Sequence, residues 1–326
     1  MTASSVAGSF SLRVGARNSF VGALGLRAQL AALVAACSSG PTAPLTADRP
    51  LYVANNGSIT VYGAGDTGNS APLATIAGSN TRLYSPFNIA RDKATRLYVA
   101  PRLSDSITIY APGATGNAAP IATIAGTSTG LASPRAVAFD AAGRLYIANQ
   151  GDTITIYAPG ATGNASPVAR IAGNSTGLNG ADGLAFDAQG RLYVANGGDS
   201  SVRIYPTGAA GNVAPTATVA GRNTGLFPGG VALDGAGRLY VNNGWTITVY
   251  AAGATGNAVP TATIALSYAA TGIAVNAKGQ LYVAEGVHGH GNRIAVYAPG
   301  ATGSAAPLFV IAGISTGLFD PTSVTF

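Results

Sequence analysis

Pro134-Arg135-Ala136-Val137-Ala138-Phe139-Asp140, then Ala141-Ala142-Gly143-Arg144, then Leu145-Tyr146-Ile147-Ala148-Asn149, then Gln150-Gly151-Asp152, then Thr153-Ile154-Thr155-Ile156-Tyr157. The stretch holds three short apolar runs separated by two turns. Gly143 and Gly151 supply the turns, where a residue without Cβ takes positive φ at no steric cost. Thr153–Tyr157 alternates with period two, the pattern of a half-buried strand. Ala158-Pro159-Gly160-Ala161-Thr162-Gly163-Asn164 is a longer loop punctuated by Pro and Gly, and Val168–Ala172 reads as a fourth strand. Four short antiparallel strands in this order make one propeller blade.

The stretch recurs. Leu-Tyr-(Val/Ile) begins at Leu51, Leu97, Leu145, Leu192, Leu239 and Leu281, with spacings of 46, 48, 47, 47 and 42 residues. A period in this range marks a propeller or a solenoid. The two ends of the array discriminate between them. Leu51-Tyr52-Val53 lacks the preceding Ala-Val-Ala-Phe-Asp strand, and the chain ends on Asp320-Pro321-Thr322-Ser323-Val324-Thr325-Phe326, which matches Ser133–Phe139. The C-terminal strand is therefore expected to complete the first blade and close the ring, leaving no open end blade. A linear array would need polar caps. The sequence predicts an all-β fold: a six-bladed β-propeller of four-stranded antiparallel blades over residues 51–326. After Leu51 no helix-length amphipathic pattern occurs.

The pattern Pro-x-x-(Val/Ile)-Ala-(Phe/Val)-(Asp/Asn), Gly-Arg-Leu-Tyr-Val-Ala-Asn and Ile-Thr-Ile-Tyr resembles the NHL-type repeat. It also resembles the wider superfamily of six-bladed calcium-dependent phosphotriesterase-like propellers. The resemblance covers Leu51–Phe326 and implies architecture more than activity, because that superfamily includes lactonases, lyases and pure binding scaffolds.

Charged residues are 9% of the chain and hydrophobic ones 47%, which excludes a disordered polymer. The net charge is +6. Arg13, Arg17 and Arg27 of that excess lie before the repeats, and Arg96, Arg144, Arg191 and Arg238 recur at one hairpin position. No basic cluster is interleaved with aromatics, so the pattern argues against a nucleic-acid partner.

Residues 1–36 read as a signal peptide: three arginines precede the apolar Leu30-Ala31-Ala32-Leu33-Val34-Ala35-Ala36, too short to span a bilayer. Cys37, the only cysteine, follows at once and precedes Ser38-Ser39-Gly40-Pro41. This resembles a bacterial lipoprotein signal, in which the cysteine becomes the lipidated N-terminus. Residues 37–50 then form a lipidated Cys and a flexible tether. The expected location is the bacterial cell envelope, exported and lipid-anchored, at the outer membrane where the host has one. The expected state is a monomer.

Internal repetition also filters candidate sites. Positions alike in every copy build the blade, whereas one-sided recognition needs positions where the copies disagree. Gly126-Thr127-Ser128-Thr129-Gly130, Gly173–Gly177 and Gly313–Gly317 match the Gly-x-Ser-x-Gly nucleophile elbow, but occur three times and lack the following helix. The Gly-Ala-(Thr)-Gly-Asn loops, as at Gly160–Asn164, lack the Lys and helix N-terminus of a phosphate cradle. They are expected on the face opposite the site.

The disagreeing positions lie in the interblade loops and the turns between second and third strands, which surround one mouth of the channel in propellers of this type. After the interblade Pro or its equivalent stand Phe87, Arg135, Asp182, Gly229, Thr271 and Thr322, followed by Asn88, Ala136, Gly183, Gly230, Gly272 and Ser323. Arg135 and Asp182 fall on adjacent blades and are placed to pair, either as a structural pair or as a ligand clamp. The candidate ligand-binding residues are Arg135, Asp182, Trp245, Glu285, His288 and His290. Trp245, the only tryptophan, either stacks on a sugar or aromatic ligand or covers a blade edge. His288, His290 and Glu285 share the longest loop, a pattern that could hold a transition metal but fits an unengaged polar loop better, since two ligands close together on a Gly-rich loop do not make a preformed site.

The leading functional expectation is a noncatalytic envelope lipoprotein whose propeller binds a protein, peptide or glycan. The alternative is a metal-dependent, lactonase-like hydrolase or lyase. The resemblance implies for it a channel ion held by Asn, Asp and Glu side chains, for which the candidates here are Asn88, Asp182 and Glu285. A Ca²⁺ held in the channel by backbone carbonyls would leave no mark in the sequence and stays open beside both readings.

Overall fold

The computed structural model describes residues 49–102, 104–287 and 290–326, with Val287 and His290 described only as backbone. The expected signal peptide, Cys37 and nearly all of the tether lie outside the described residues, as does His288.

Six four-stranded antiparallel sheets form the described chain. Blade 2 comprises β4 (Pro86–Arg91), β5 (Leu97–Pro101), β6 (Ser106–Tyr110) and β7 (Ala122–Ala125). Blade 3 comprises β8 (Pro134–Phe139), β9 (Leu145–Asn149), β10 (Thr153–Tyr157) and β11 (Ala169–Ile171). Blade 4 comprises β12 (Ala181–Phe186), β13 (Leu192–Asn196), β14 (Ser201–Tyr205) and β15 (Ala217–Val219). Blade 5 comprises β16 (Gly230–Leu233), β17 (Leu239–Asn242), β18 (Thr246–Tyr250) and β19 (Ala262–Ala265). Blade 6 comprises β20 (Ala270–Val275), β21 (Leu281–Val287), β22 (His290–Tyr297) and β23 (Phe309–Ala312). Blade 1 takes β1 (Leu51–Asn55), β2 (Ser58–Tyr62) and β3 (Ala74–Ala77) from the start of the ring and β24 (Ser323–Thr325) from the end. The register of closure is Tyr52↔Thr325, Val53↔Val324 and Ala54↔Ser323.

The core lies in the seams between blades. Each of six buried clusters joins two neighbouring sheets; one unites Leu51, Val53 and Tyr62 of blade 1 with Tyr282, Ile294 and Ile311 of blade 6. Edge-to-face rings knit three seams, Tyr98–Phe139, Tyr146–Phe186 and Tyr282–Phe326, each with centroids 4.8 Å apart. Space vanishes towards the axis. A Cβ on Gly183 of β12 would sit 2.8 Å from Gly230 Cα of β16, and one on Gly272 of β20 would sit 2.7 Å from Ser323 Cα of β24. This row therefore tolerates only small residues, with Asn88 as the exception.

A second set of bonds closes the ring at its outer radius. The second Gly of each Gly-Ala-Thr-Gly-Asn loop exchanges two backbone hydrogen bonds with the outer strand of the preceding blade. Gly163, for example, donates to Thr123 O at 2.6 Å and accepts from Ala125 N at 3.0 Å. All six seams carry this bridge, including Gly68 with Val310 and Ala312. Five seams add a tyrosine hook, in which Tyr62, Tyr110, Tyr157, Tyr205 and Tyr250 donate from buried hydroxyls to the carbonyls of Thr316, Thr81, Thr129, Thr176 and Thr224. Burial pushes the Tyr62 hydroxyl up to about 12, so it stays a donor at ordinary pH.

Deleting Asp320–Phe326 removes β24 and leaves β1 with an open edge. The expected outcome is loss of a single cooperative transition in calorimetry, with aggregation. A truncated protein that melts like the parent would show that β24 does not hold the ring closed.

Candidate functional site

The turns between second and third strands and the interblade loops meet at one end of the ring, around a cavity of about 580 Å³. Phe87, Arg135, Asp182, Gly229, Thr271 and Thr322, one from each blade, all line it. Their common position after the interblade turn puts them at the top of each inner strand. Asn56, Ser85, Arg102, Phe227 and Asn242 complete much of the wall.

Arg135 Nη1 donates to Asp182 Oδ1 at 2.5 Å, tying blade 3 to blade 4 across the mouth. The two side chains keep 37% and 23% of their exposure, so the pair is worth only about 0–1 kcal/mol to the fold. On the adjoining blade 2, the Arg102 guanidinium lies 5.6 Å from the Phe87 ring centre. Among the described residues Arg102 has no carboxylate partner. Thr271 Oγ1 donates to Pro321 O at 2.5 Å and Thr322 Oγ1 to Pro86 O at 2.7 Å, so both hydroxyls serve neighbouring blades.

Asn88 does not face the cavity as a free ligand. Its Oδ1 accepts from Val137 N at 3.0 Å and its Nδ2 donates to Ser323 Oγ at 3.3 Å, joining the inner strands of blades 1, 2 and 3. Glu285 is likewise withdrawn. It is fully buried and paired with Arg293, and does not line the cavity. The expected Asn88–Asp182–Glu285 grouping around a channel ion is therefore not assembled: two of its three members are committed to inter-strand contacts. Among the described residues no three His, Cys, Asp or Glu side chains come together as a metal site. His290 begins β22, and its side chain lies outside the described residues, like His288.

Trp245 sits on the turn between β17 and β18, beside the cavity-lining Gly244, with its side chain 64% exposed. Its backbone carbonyl, not its ring, ties down the next loop by accepting from Leu266 N at 3.0 Å. Sequence reasoning missed three further aromatics. Tyr84, Phe227 and Phe319, each following a partly repeated Leu in the interblade loops, are exposed aromatics on this same end. Blades 3 and 4 have Ala132 and Asn179 at that position. The disagreement between copies at that position is the signal in the sequence that marks them.

Several loop acids turn out to be structural. Asp105 Oδ1 accepts from Ser133 N and Asp152 Oδ1 from Gly180 N, both at 2.7 Å, bracing the left-handed residues before the inner strands. Burial works to raise the Asp199 carboxyl, but hydrogen bonds from Ser201, Arg203 and Asn196 outweigh it and leave it below the usual carboxylate range. The hairpin arginines pair within their own turns, as Arg144 Nε does with Asp140 Oδ2 at 2.6 Å. Ser128 and Ser315 receive hydrogen bonds from Asn164 and Asn69, so the elbow-like serines belong to loop caps. Those Asn residues also correct the placement of their loops. The Gly-Ala-Thr-Gly-Asn segments climb the outer edge of the preceding blade, and Asn164 Oδ1 accepts from Ser128 N of an interblade loop.

The seam between blades 5 and 6 departs from the rest. From Ile264 to Gly272 it spans eight positions, where Ile171 to Gly183 spans twelve. The Gly-x-x-Thr-Gly-Leu hook is missing. In its place Arg293 lies 4.6 Å from the Tyr268 ring centre and bonds the buried Glu285. Burial pushes the Glu285 carboxyl up and Arg293 pulls it partly back. Arg293→Ala would leave a buried carboxylate alone, at a cost of about 3–5 kcal/mol in urea unfolding. Because the folded-state pKa is raised, that defect should be largest at neutral pH and shrink as pH falls through it. Glu285→Asn with Arg293→Ser reproduces the pairing of Asn55 with Ser58 in blade 1 and should recover much of the loss. A double variant no more stable than Arg293→Ala would overturn this account.

No family model matches the chain, and no curated protein matches it. Solved structures do. A protein of unknown function from Bacteroides caccae aligns at 11% identity over 85% of this chain and 98% of its own, with a TM-score of 0.56. A chain from a nidogen/laminin complex aligns at 16% identity over 85% of this chain and 97% of its own, with a TM-score of 0.57. At such identities the likeness shows the fold alone: this chain is a six-bladed β-propeller.

Proposed function

We propose that the protein is a noncatalytic, exported envelope lipoprotein with an NHL-like propeller, whose mouth binds a protein, peptide or glycan. The observation that carries this reading is the composition of the mouth. Loops from all six blades converge on one cavity of about 580 Å³, a size that suits a side chain or a sugar unit. Its rim presents aromatic surface at Phe87, Phe227 and Trp245, together with the unpaired Arg102. Aromatic and Arg side chains carry most binding energy at interfaces, and both stack on sugars or on partner side chains. Arg135 and Asp182 neutralise each other, which leaves Arg102 and Asp320 as the other charged side chains lining the cavity. The chemistry of a reaction would need ionisable groups converging on one point; the cavity is lined by Arg102, Arg135, Asp182 and Asp320, and one of its two carboxylates is already neutralised by Arg135.

The test is a screen of the purified protein against peptide and oligosaccharide panels, followed by a paired scan. Trp245→Ala, Phe227→Ala and Arg102→Ala should each weaken binding by about 2 kcal/mol or more, with the melting temperature unchanged. Asn117→Ala, Asn164→Ala and Asn212→Ala should alter stability rather than affinity. Loss of binding in the second set alone would place the site on the outer rim. Turnover of a lactone or ester by the parent, abolished by Asp182→Ala, would favour the hydrolase reading.

A further inference from the structure

The end of the ring away from the mouth carries an unexplained apolar ring. Each outer strand begins there, because it follows the end of a third strand that descends from the mouth. Just before it, Pro72-Leu73, Pro120-Ile121, Pro167-Val168 and Pro307-Leu308 repeat a Pro followed by a large aliphatic residue, and blade 5 has Val259 directly before Pro260. Leu73, Ile121, Val168, Val259 and Leu308 are 54–70% exposed. Only their backbones are engaged: Leu73, Ile121, Val168 and Leu308 donate N–H groups to Val61, Ile109, Ile156 and Val296. Blade construction explains the backbone bonds and the prolines. It does not explain exposed aliphatic side chains at that position in four of six copies, where Thr216 of blade 4 and Thr261 of blade 5 show that a Thr serves as well.

Three further observations identify what covers the ring. The chain enters the propeller on this end: Leu51 opens β1 where the hairpins between first and second strands lie. Those hairpins present little net anionic charge, since Asp92, Asp140, Asp187 and Asp234 are each paired to an Arg of the same turn. Lys93, whose ammonium donates to the neutral Ala141 carbonyl at 2.6 Å, adds a cation on these hairpins. Finally, only 13 residues separate Cys37 from Leu51. Thirteen residues of random coil would span about 20 Å on average, while a five-residue strand alone rises about 17 Å. A tether that short favours the near end of the ring over the far one.

We infer that this end is a membrane-seating surface: the aliphatic ring rests on the lipid interface and holds the mouth pointing away from the bilayer. The inference rests on the lipid-anchor part of the proposed function and not on the identity of the mouth's ligand. Shallow burial of five aliphatic side chains supplements an acyl anchor, which by itself fixes attachment but not orientation. Lys93 on the hairpins favours an anionic leaflet.

Trp245, the only tryptophan and a residue of the mouth end, is a built-in reporter. The protein purified with its own N-terminus from the producing cells is reconstituted into phosphatidylcholine–phosphatidylglycerol vesicles containing brominated acyl chains. Trp245 emission should be unaffected by bromine and freely quenched by aqueous acrylamide. In Trp245→Phe/Ile121→Trp and Trp245→Phe/Leu308→Trp, emission should shift to the blue and be lost to brominated lipid. Lipid quenching of Trp245, or of neither position, overturns the inference. The mass of the Cys37 peptide reads the anchor separately: an unmodified Cys37 refutes the anchor alone. The surface is then judged by co-sedimentation of the same protein with anionic vesicles. There Leu73→Ser/Ile121→Ser/Val168→Ser/Leu308→Ser should weaken partitioning about tenfold or more, and equal partitioning refutes it. Sedimentation velocity provides the remaining check. A dimer that dissociates in the four-serine variant would assign the ring to a second copy of the chain and overturn the membrane reading.

Discussion

A four-stranded blade has two exposed edges, and the structure depends on covering both. At the outer radius the edge of each fourth strand is covered by a single Gly of the next blade, which makes one donor and one acceptor bond to it. These glycines, Gly68, Gly116, Gly163, Gly211, Gly256 and Gly303, all have φ between 61° and 75°, in the left-handed region. That turn lets the loop climb the neighbour's strand for one residue and leave again. At the inner radius the edges face one another across the axis, and closure by β24 ensures that no blade has an unpaired flank. The seam cores then bury their Tyr and Ile side chains between sheets already held at both radii.

The outer contact also explains a coupled change within the chain. Five seams place a Gly at the end of the outer strand against an Asn of the next loop. A Cβ on Gly78 would lie 2.5 Å from Asn117 Oδ1, and Asn80 N donates to that same oxygen at 2.8 Å. At the blade 5–6 seam Leu266 takes the place of the Gly and Ser304 that of the Asn. The two substitutions need each other: a branched side chain and the Asn amide cannot share the space. The Gly303 bridge persists there because it uses only backbone.

Much of this was legible beforehand because it is periodic. Strand order, blade count, ring closure and the convergence of Phe87, Arg135, Asp182, Gly229, Thr271 and Thr322 all follow from aligning the chain with itself. The Arg135–Asp182 pair was legible for the same reason, as opposite charges in one column on adjacent blades. The fates of Asn88 and Glu285 were not. Whether a polar side chain faces the channel or bonds a neighbouring strand depends on its rotamer and its seam partners, and repetition carries no information about either. Arg293 lies eight residues beyond Glu285 across the hairpin, in a position that is Ser or Thr in the other blades, so no copy could reveal the pair. The outward climb of the Gly-Ala-Thr-Gly-Asn loops was hidden in the same way, being a contact between blades rather than within one.

The irregular seam bears on the mouth as well as on the ring. Where the tyrosine hook holds the interblade loop, the loop crosses the top of the blade with its Leu buried and the next residue outward. Without the hook the blade 5–6 loop runs directly from Leu266 to Ala270, and Tyr268 turns onto Arg293. The lengthened β21–β22 hairpin rises beside it, with Gly291 at φ 80° leaving room for the Tyr268 ring, which a Cβ there would meet at 2.6 Å. One side of the mouth is thus a lowered loop beneath a raised hairpin, while the facing side carries the Arg135–Asp182 pair. Repetition alone would make a six-fold rim with no preferred direction. The shortened seam breaks that equivalence, and its buried Glu285–Arg293 pair is what stabilises the break.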